Sequence, residues 1–300
     1  MPLVSVIMNC FNGERFLQKA IESIYSQTYA NWEIIFWDNA STDGSAIIAK
    51  SFDDKLRYFL APKMTPLGEA RNLALNKAKG KYVAFLDCDD LYFPHKIEKQ
   101  IQLMEKSKLV MSYGSSITIN EDNKEIRRIK VKNQSGYMFN CLLKHYEINM
   151  QSVMLLKSFL IEKELEFDMG FKYCPDYKLF MQIASQMSIG VVKDFIVSYR
   201  VVKNSLSEKT LFIAGTEVRR ALEAIEESQP GLKKKFSKEF MQAYGKSEYY
   251  DAVALIYSNE VCQARKKIKP LISLRYEYLL LYFLTFLPIS NTLILKLLRR

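Results

Sequence analysis

Tyr82-Val83-Ala84-Phe85-Leu86-Asp87-Cys88-Asp89-Asp90 is an apolar run, short enough for a buried strand, that ends abruptly in three carboxylates. Like charges gathered at one strand end repel each other, so the cluster points to something for them to hold. In an open α/β sheet the carboxyl edge of the strands is where ligands bind. Carboxylate oxygens are hard ligands that suit Mg²⁺ or Mn²⁺, ions commonly bound through one or two carboxylates together with substrate phosphates. A phosphate-bearing substrate is the first expectation. The competing reading is that these acids cap the next helix, which Pro94 opens. An Asp-x-Asp alone does not separate the two.

The preceding residues do. Val4 to Met8 reads as a first strand and runs into a turn-rich stretch, Asn9-Cys10-Phe11-Asn12-Gly13-Glu14. Phe16, Leu17, Ala20, Ile21 and Ile24 then recur with helical spacing. A second strand, Trp32 to Trp37, ends in Asp38-Asn39-Ala40-Ser41-Thr42-Asp43-Gly44, and Ser45 starts another helix. A short third strand, Leu56 to Phe59, is followed by Pro66-Leu67-Gly68 and a helix closed by Lys79-Gly80. Strands alternating with helices at this spacing predict a largely parallel sheet. The polar clusters around Asn9, Asp38 and Asp87 would then sit side by side on one edge.

In this order, Val4 to Glu14, Ser26-Gln27-Thr28-Tyr29, Asp38 to Gly44, Ala70-Arg71-Asn72 and Phe85 to Asp90 resemble the successive signatures of family 2 glycosyltransferases. Several motifs in the family's order are far more specific than any one of them. The resemblance covers about the first two-thirds of the chain. It implies the GT-A fold: an α/β nucleotide-binding fold with a mostly parallel central sheet flanked by helices, here with a C-terminal helical region added. It also implies inverting transfer from a nucleotide-sugar donor, UDP-linked by the family's habit, to an acceptor hydroxyl. A divalent metal, Mn²⁺ or Mg²⁺, would assist. The expected organisation is a glycosyltransferase domain over residues 1–207, with a donor half (1–108) and an acceptor half (109–207), followed by a helical region over 208–300.

The resemblance carries roles to individual residues. Asp38 matches the Asp that hydrogen-bonds the uracil ring, and Asn9, Phe11, Asn12 and Glu14 belong to the stretch lining the same base and ribose pocket. Arg71 matches a basic residue near the donor, where a guanidinium can pair with phosphate. Asp87 would lie near ribose and metal, and Asp89 would be the direct metal ligand. Read without the resemblance, Asp38 is a turn or capping residue and Arg71 a solvated helix charge.

Inverting transfer also needs a base to take the acceptor's proton as the metal neutralises the leaving phosphate. Phe167 to Phe171 followed by Cys174-Pro175-Asp176-Tyr177-Lys178-Leu179-Phe180 is similar to the family's later motif, an Asp at a helix start, which makes Asp176 the candidate base and Asp168 the next choice. Asp after Pro is equally a good first-turn helix residue. One departure stands out. Tyr199 to Ser207 matches a segment that often carries a His where this chain has Val202, and the histidines present, His95 and His145, fall elsewhere. Metal binding would then rest on Asp89, diphosphate and water, or draw on the charge of Lys203. The departure keeps open an inactive nucleotide-sugar-binding protein or scaffold.

With 300 residues, 49% hydrophobic and 13% aromatic, the chain is too apolar to be largely disordered and long enough for one large core plus an appendage. Five scattered cysteines form no CxxC pair and read as reduced thiols. Met1-Pro2-Leu3 leads straight into a strand without signal-peptide regions, so a cytoplasmic location is expected. The net charge of +10 concentrates near the tail, where Arg265, Lys266, Lys267, Lys269, Arg275, Lys296, Arg299 and Arg300 face Glu277 alone. No nucleic-acid-binding signature accompanies it. Tyr276 to Leu287 and Leu293 to Leu298 are apolar, interrupted by Pro288, Ser290, Asn291 and Lys296. Residues 265–300 therefore read either as interfacial helices under anionic headgroups at the inner face of the cell membrane, or as a packed helical cap. Surface polysaccharide or a lipid-linked glycan is the acceptor class that the family's habit implies. In the acceptor half, Tyr113, Tyr137, Asn149 and Gln151 are candidate lining residues.

Overall fold

A computed structural model describes residues 1–203 and 205–287. The strands β1 (Val4–Cys10), β2 (Trp32–Asp38), β3 (Leu56–Leu60) and β4 (Tyr82–Phe85) alternate with the helices α1 (Glu14–Tyr25), α2 (Ser45–Lys50) and α3 (Leu67–Lys77), as the apolar runs predict. They lie side by side in the order β3-β2-β1-β4, all parallel. β1 and β2 are buried along almost their whole length, the mark of strands covered on both faces. α1 seats Leu17, Ala20, Ile21 and Ile24 in the same core with helical spacing. Full burial of each of the three large side chains contributes about 1.5–3 kcal/mol. Cys10 pairs with Asp38 in the β1–β2 register, Asn39 N–H donates to Cys10 O at 2.8 Å, and Leu86 N–H donates to Ile7 O at 3.0 Å. The turns after β1, β2 and β4 thus leave the sheet together at one edge.

The chain continues through β5 (Leu91–Tyr92), α4 (Lys96–Ser107), β6 (Met111–Ile119), β7 (Glu125–Ile129), α5 (Phe139–Lys144), β8 (Met154–Leu156), α6 (Lys157–Glu162), α7 (Pro175–Gln186) and β9 (Gly190–Arg200). These strands extend the sheet as β4-β8-β6-β9-β5, with β7 on β6. Here the sheet is less parallel than expected. β8 runs antiparallel to both β4 and β6, β7 to β6 and β5 to β9, while β6 and β9 are parallel. For β7 the reason is the hairpin at Asn120–Lys124, which returns it directly onto β6 where the first half uses helical crossovers. In the sequence, Leu109 to Gly114 and Ser116 to Asn120 read as two strands, but they form the single strand β6. β6 slips register against β9 at Gly114 and Ser115, and a Cβ on Gly114 would lie 2.6 Å from Ile196 Cδ1 and 2.8 Å from Val192 O. The strand expected from Gln151 begins later, after a 3₁₀ turn over Met150–Ser152.

Two compact units emerge. The first comprises Met1–Phe139, Tyr146–Gly170 and Leu179–Lys203, and the second comprises Asn140–His145, Phe171–Lys178 and the chain from Asn204 onward. The second unit is helical as expected: α8 (Leu206–Lys209), α9 (Ala214–Ser228), α10 (Leu232–Lys235), α11 (Ser237–Tyr257), α12 (Val261–Ile268) and α13 (Tyr276–Leu284). Gly231, at φ +100°, makes the break between α9 and α10 that Pro230-Gly231 predicts. This unit has its own core, in which Ala252, Val253, Ile256, Ala264 and Ile268 meet Tyr278, Leu281 and Leu284 of α13. The other face of α13 is open, with Tyr276, Leu279, Leu280 and Phe283 exposed. Among the described residues no helix is long and apolar enough to cross a membrane. Leu293 to Leu298 lies outside the described residues.

Lys96 is fully buried in the first turn of α4. Its Nζ donates to Gln100 Oε1 at 2.7 Å and lies 4.3 Å from the Tyr92 ring centre, while Gln100 Nε2 donates to Ser152 O at 2.9 Å and Ser112 Oγ at 3.0 Å. Burial pushes the Lys96 pKa well down. An amine whose pKa is lowered on folding binds fewer protons in the fold than in the unfolded chain, so its contribution to stability rises with pH up to the ordinary lysine value of ~10.4. Lys96→Met abolishes that rise. In urea unfolding, the advantage of the Met variant over the native chain should shrink as pH rises from about 7 towards 10; a difference independent of pH would contradict a lowered Lys96 pKa.

Candidate active site at the carboxyl edge of the sheet

The acidic turn after β4 is held by residues far away in the chain. Asp87 accepts from Arg71 Nη2 at 3.2 Å and 3.4 Å, and Arg71, on α3, is only 4% exposed. Gln151, in the 3₁₀ turn capped by Asn149, grips Asp87 twice: its Nε2 donates to Asp87 Oδ2 at 2.6 Å and its Oε1 accepts from Asp87 N–H at 2.8 Å. Asp90 is buried and accepts from Arg200 N–H at 2.6 Å. Arg200 Nε donates to Asp89 O at 2.7 Å and Nη1 to Asn120 O at 2.9 Å, with the guanidinium 4.5 Å from the Phe16 ring centre. Asp89 is left half-buried, its carboxylate accepting no hydrogen bond from another of the described residues. Burial, then the charge of Asp87, pushes its pKa up to about 6, against the pull of Arg200. Burial and the charges of Asp89 and Asp87 push Asp90 well up also.

The turns after β1 and β2 are laced to each other. Asn12, at φ +54°, donates its N–H to Ser41 Oγ at 3.0 Å and accepts from Thr42 N–H at 2.8 Å. Glu14 Oε2 accepts from Gly44 N–H at 2.5 Å, and Asp43 accepts from Glu14 N–H and Ser45 N–H, each at 3.0 Å. Phe11 is 49% exposed at the tip, an aromatic face open to solvent. The Asn9 amide nitrogen is buried with no protein partner, as is Trp37 Nε1. Asp38 lies 1% exposed, with Oδ1 accepting from Ser41 N–H at 2.8 Å and Oδ2 from Tyr58 OH at 2.6 Å. Burial, followed by the hydrogen bond to Asp38, pushes the Tyr58 pKa up, so the phenol stays protonated as donor.

The structure thus brings Asn9, Phe11, Asn12, Glu14, Asp38, Arg71, Asp87 and Asp89 to one edge, but gives several of them partners that residue type does not reveal. Arg71 meets Asp87, where phosphate was the expected partner, and Asp38 is turned inwards. Gln151 and Arg200 are the residues that reading by motif missed. Gln151 stood as an acceptor-lining candidate, and a cation acting on Asp89 is Arg200, two positions before Val202, where the sequence offered Lys203 as one of two alternatives. The signal for Arg200 was an arginine closing an apolar strand. Tyr113 is fully buried with its OH on Glu147 Oε1 at 2.7 Å, and the Tyr137 OH donates to Ser185 O at 3.3 Å. Asp168 Oδ1 accepts from Gly170 N–H at 2.9 Å. Asp176 sits half-buried in the first turn of α7, in the second unit.

A divalent cation suits this donor set. Among the described residues no three His, Cys, Asp or Glu side chains converge as a ready-made cage. Asp89 offers one uncommitted carboxylate in a cluster whose mutual repulsion a cation would relieve, and ions such as Mg²⁺ are commonly held by one or two carboxylates plus phosphate and water. A cavity of about 580 Å³ lined by Asn72, Lys157, Glu164 and Glu166 among others includes none of these edge residues.

Gly13 packs where the sulfurs of Cys10 and Cys88 meet. A Cβ there would lie 2.5 Å from Cys88 Sγ, 2.9 Å from Cys10 Sγ and 3.1 Å from Cys88 Cβ. Gly13→Ala should destabilise by about 1–3 kcal/mol through overpacking. Cys88→Ala removes the nearest sulfur, so the double variant should lose less than the sum of the two single changes in urea unfolding. Additive losses would contradict the contact.

Residues 5–163 match the family model described as Glycosyl transferase family 2. WfgD of Escherichia coli, a UDP-Glc:alpha-D-GlcNAc-diphosphoundecaprenol beta-1,3-glucosyltransferase, is 33% identical over 208 residues, which cover 68% of this chain and 79% of its own. S. aureus TarS 1-349 in complex with UDP-GlcNAc superposes with a TM-score of 0.61 at 15% identity, covering 88% of this chain and 87% of that one. The mannosyltransferase PcManGT from Pyrobaculum calidifontis, in complex with GDP-Man and Mn²⁺, gives 0.63 at 18% identity, covering 97% and 86%. At such identities the two structures speak for the fold, the GT-A arrangement of a mixed sheet and flanking helices. With the family match spanning more than half of the chain and a third of the aligned residues shared with WfgD, this protein belongs to glycosyl transferase family 2 and is a glycosyltransferase.

Proposed function

We propose that the protein transfers a sugar from a UDP-sugar to a hydroxyl of a lipid-diphosphate-linked glycan, with inversion at the anomeric carbon. The observation that carries this reading is the edge itself: two cross-linked turns with an exposed Phe11 and an unpartnered Asn9 amide, beside an acidic turn in which Asp89 alone is uncommitted. The donor and acceptor named for WfgD, and its beta-1,3 product, support the substrate class and the inversion. The Mn²⁺ and GDP-Man of PcManGT support a metal-assisted donor site.

In this reading Phe11 and Asn9 meet the base, and Asp38, held by Ser41 and Tyr58, keeps the turn beneath it in the shape that binds UDP. Asn12 and Glu14 keep the two turns together around the ribose. Arg71 and Gln151 fix Asp87 on the ribose side, and Asp89 carries the Mn²⁺ or Mg²⁺. When bound, that ion neutralises the charge growing on the departing diphosphate. Asp176 takes the acceptor's proton as its oxygen attacks, and the N-terminal turn of α7 favours its charged form.

Two variants separate the donor roles. Asp38→Ala should weaken UDP binding with or without metal, whereas Asp89→Ala should remove only the metal-dependent part. Calorimetric titration of UDP with and without Mn²⁺ reads both, and native affinity in both variants would overturn the donor site. Asp176→Asn should keep UDP affinity and lose transfer by orders of magnitude. Near-normal turnover would move the base to another residue, Asp168 being the next candidate.

We place the protein at the cytoplasmic face of the membrane, in peripheral contact through the tail. Tyr276, Leu279, Leu280 and Phe283 form one exposed stripe of α13, with Lys266 and Lys269 exposed on the preceding segment. Such a face should bind anionic vesicles more than neutral ones, and less as salt rises. Because Leu280 and Phe283 lie on the open face, Leu280→Glu/Phe283→Glu should lose vesicle co-sedimentation while unfolding at the native temperature. Unchanged sedimentation of this variant would remove α13 from the contact.

A further inference from the structure

Three consecutive main-chain amides of the second unit converge on one buried carboxylate. Glu217, on α9, is 3% exposed. Its Oε1 accepts from Lys172 N–H at 2.6 Å, and its Oε2 accepts from Tyr173 N–H at 2.9 Å and Cys174 N–H at 3.0 Å. Successive N–H groups pointing one way form an anion-binding concavity, and here the protein fills it with its own side chain. Hydrogen bonds to a charged acceptor are roughly twice as strong as neutral ones. The segment so gripped ends at Cys174, and the next two residues are Pro175 and Asp176.

The grip sits on rigid ground. Arg219, two residues along α9, pairs with Asp251 at 2.8 Å and Glu248 at 3.0 Å, and Lys267 of α12 joins both acids. Arg220 lies 4.7 Å from the ring centre of Phe171, which is itself buried, so the start of the gripped segment is clamped as well. Pro175 fixes its own φ and has no N–H, so the direction in which α7 sets out depends on the residues before it. Held at 172, 173 and 174, the backbone fixes where α7 begins and so where Asp176 is carried. The thiol of Cys174 is pushed up in pKa by burial and then by the charges of Asp176 and Glu217, which places both acids within electrostatic reach of it.

We propose that Glu217 is a positioning residue for Asp176, acting within the second unit by fixing the backbone that leads into it. The proposal rests on Asp176 being that base, and the test is built to tell the two apart. A displacement of about 1 Å in a catalytic group can lower turnover by a factor on the order of 100. Glu217→Gln keeps the size of the side chain but presents an amide, itself a donor, to some of the three N–H groups. Glu217→Ala removes the acceptor altogether.

The experiment measures UDP release from UDP-glucose with GlcNAc-diphosphate-undecaprenol as acceptor, together with UDP affinity and the unfolding midpoint, for the native chain, Glu217→Gln, Asp176→Asn and the double variant. Glu217→Gln is expected to lower kcat by a factor of about 10 to 100. UDP affinity should stay within twofold and the chain should remain folded at the assay temperature. In the Asp176→Asn background the same change should cost nothing further, because a residue that acts through the base has no effect once the base is gone. If Asp176→Asn turns over normally, the assignment of the base fails and this proposal with it. If Asp176→Asn is inactive but Glu217→Gln keeps native kcat, loses UDP affinity or slows the double variant further, the base stands and the positioning role is overturned. Should Glu217→Ala fail to fold, Glu217→Gln alone decides.

Discussion

Mutual repulsion among Asp87, Asp89 and Asp90 is the constraint around which the donor edge is organised. Three carboxylates within four residues cannot all lie at the end of one strand unless other groups take up their charge. The fold does this unevenly. Asp87 is bracketed by Arg71 and Gln151, Asp90 is folded under the turn onto the Arg200 amide, and Asp89 is tethered by its backbone carbonyl to the Arg200 side chain. The result is a turn whose backbone is fixed on every side and whose middle carboxylate remains available. Removing one partner of a buried charged pair is far more costly than forming the pair is beneficial, so Arg71, Gln151 and Arg200 are as much part of the site as the acids. Arg200 keeps one buried nitrogen without a protein partner.

The same logic recurs on a smaller scale in the second unit, where the roles of charge and backbone are exchanged. At the acidic turn, side chains from elsewhere hold a carboxylate-bearing loop. Before Asp176, a carboxylate from elsewhere holds the loop. In both places a group that could bind a ligand is given an internal partner instead. Charged groups with fixed partners also give precise positions, since burial makes any alternative placement expensive.

Much of the parallel half of the fold is readable from the chain because covered strands must be apolar throughout: Val4 to Met8 and Trp32 to Trp37 have no other reason to be so uniformly hydrophobic. The polar turns at their ends were equally legible. What residue type cannot convey is orientation. Asp38 and Arg71 have the chemistry to touch a ligand, yet Tyr58, Ser41 and Asp87 occupy them, at separations of 20, 3 and 16 residues. Gln151 and Arg200 reach the acidic turn from 64 and 111 residues away, distances over which no periodicity carries information. The break at Gly114 looked like a strand end because a glycine required by close packing resembles a glycine required by a turn. In the tail, α13 is apolar on both faces, and only the packing of Tyr278, Leu281 and Leu284 tells which side is core.

The central claim is that this edge binds a sugar nucleotide in order to transfer its sugar. The direct measurement is release of nucleoside diphosphate by the full chain from a panel of UDP- and GDP-sugars, in the presence of lipid-diphosphate-linked acceptors, first with EDTA and then with Mn²⁺ or Mg²⁺ restored. The account predicts release from a UDP-sugar that requires the acceptor, is suppressed by EDTA and returns with the ion. Tight UDP binding without release from any donor and acceptor pair would contradict it and make the protein a sugar-nucleotide binder.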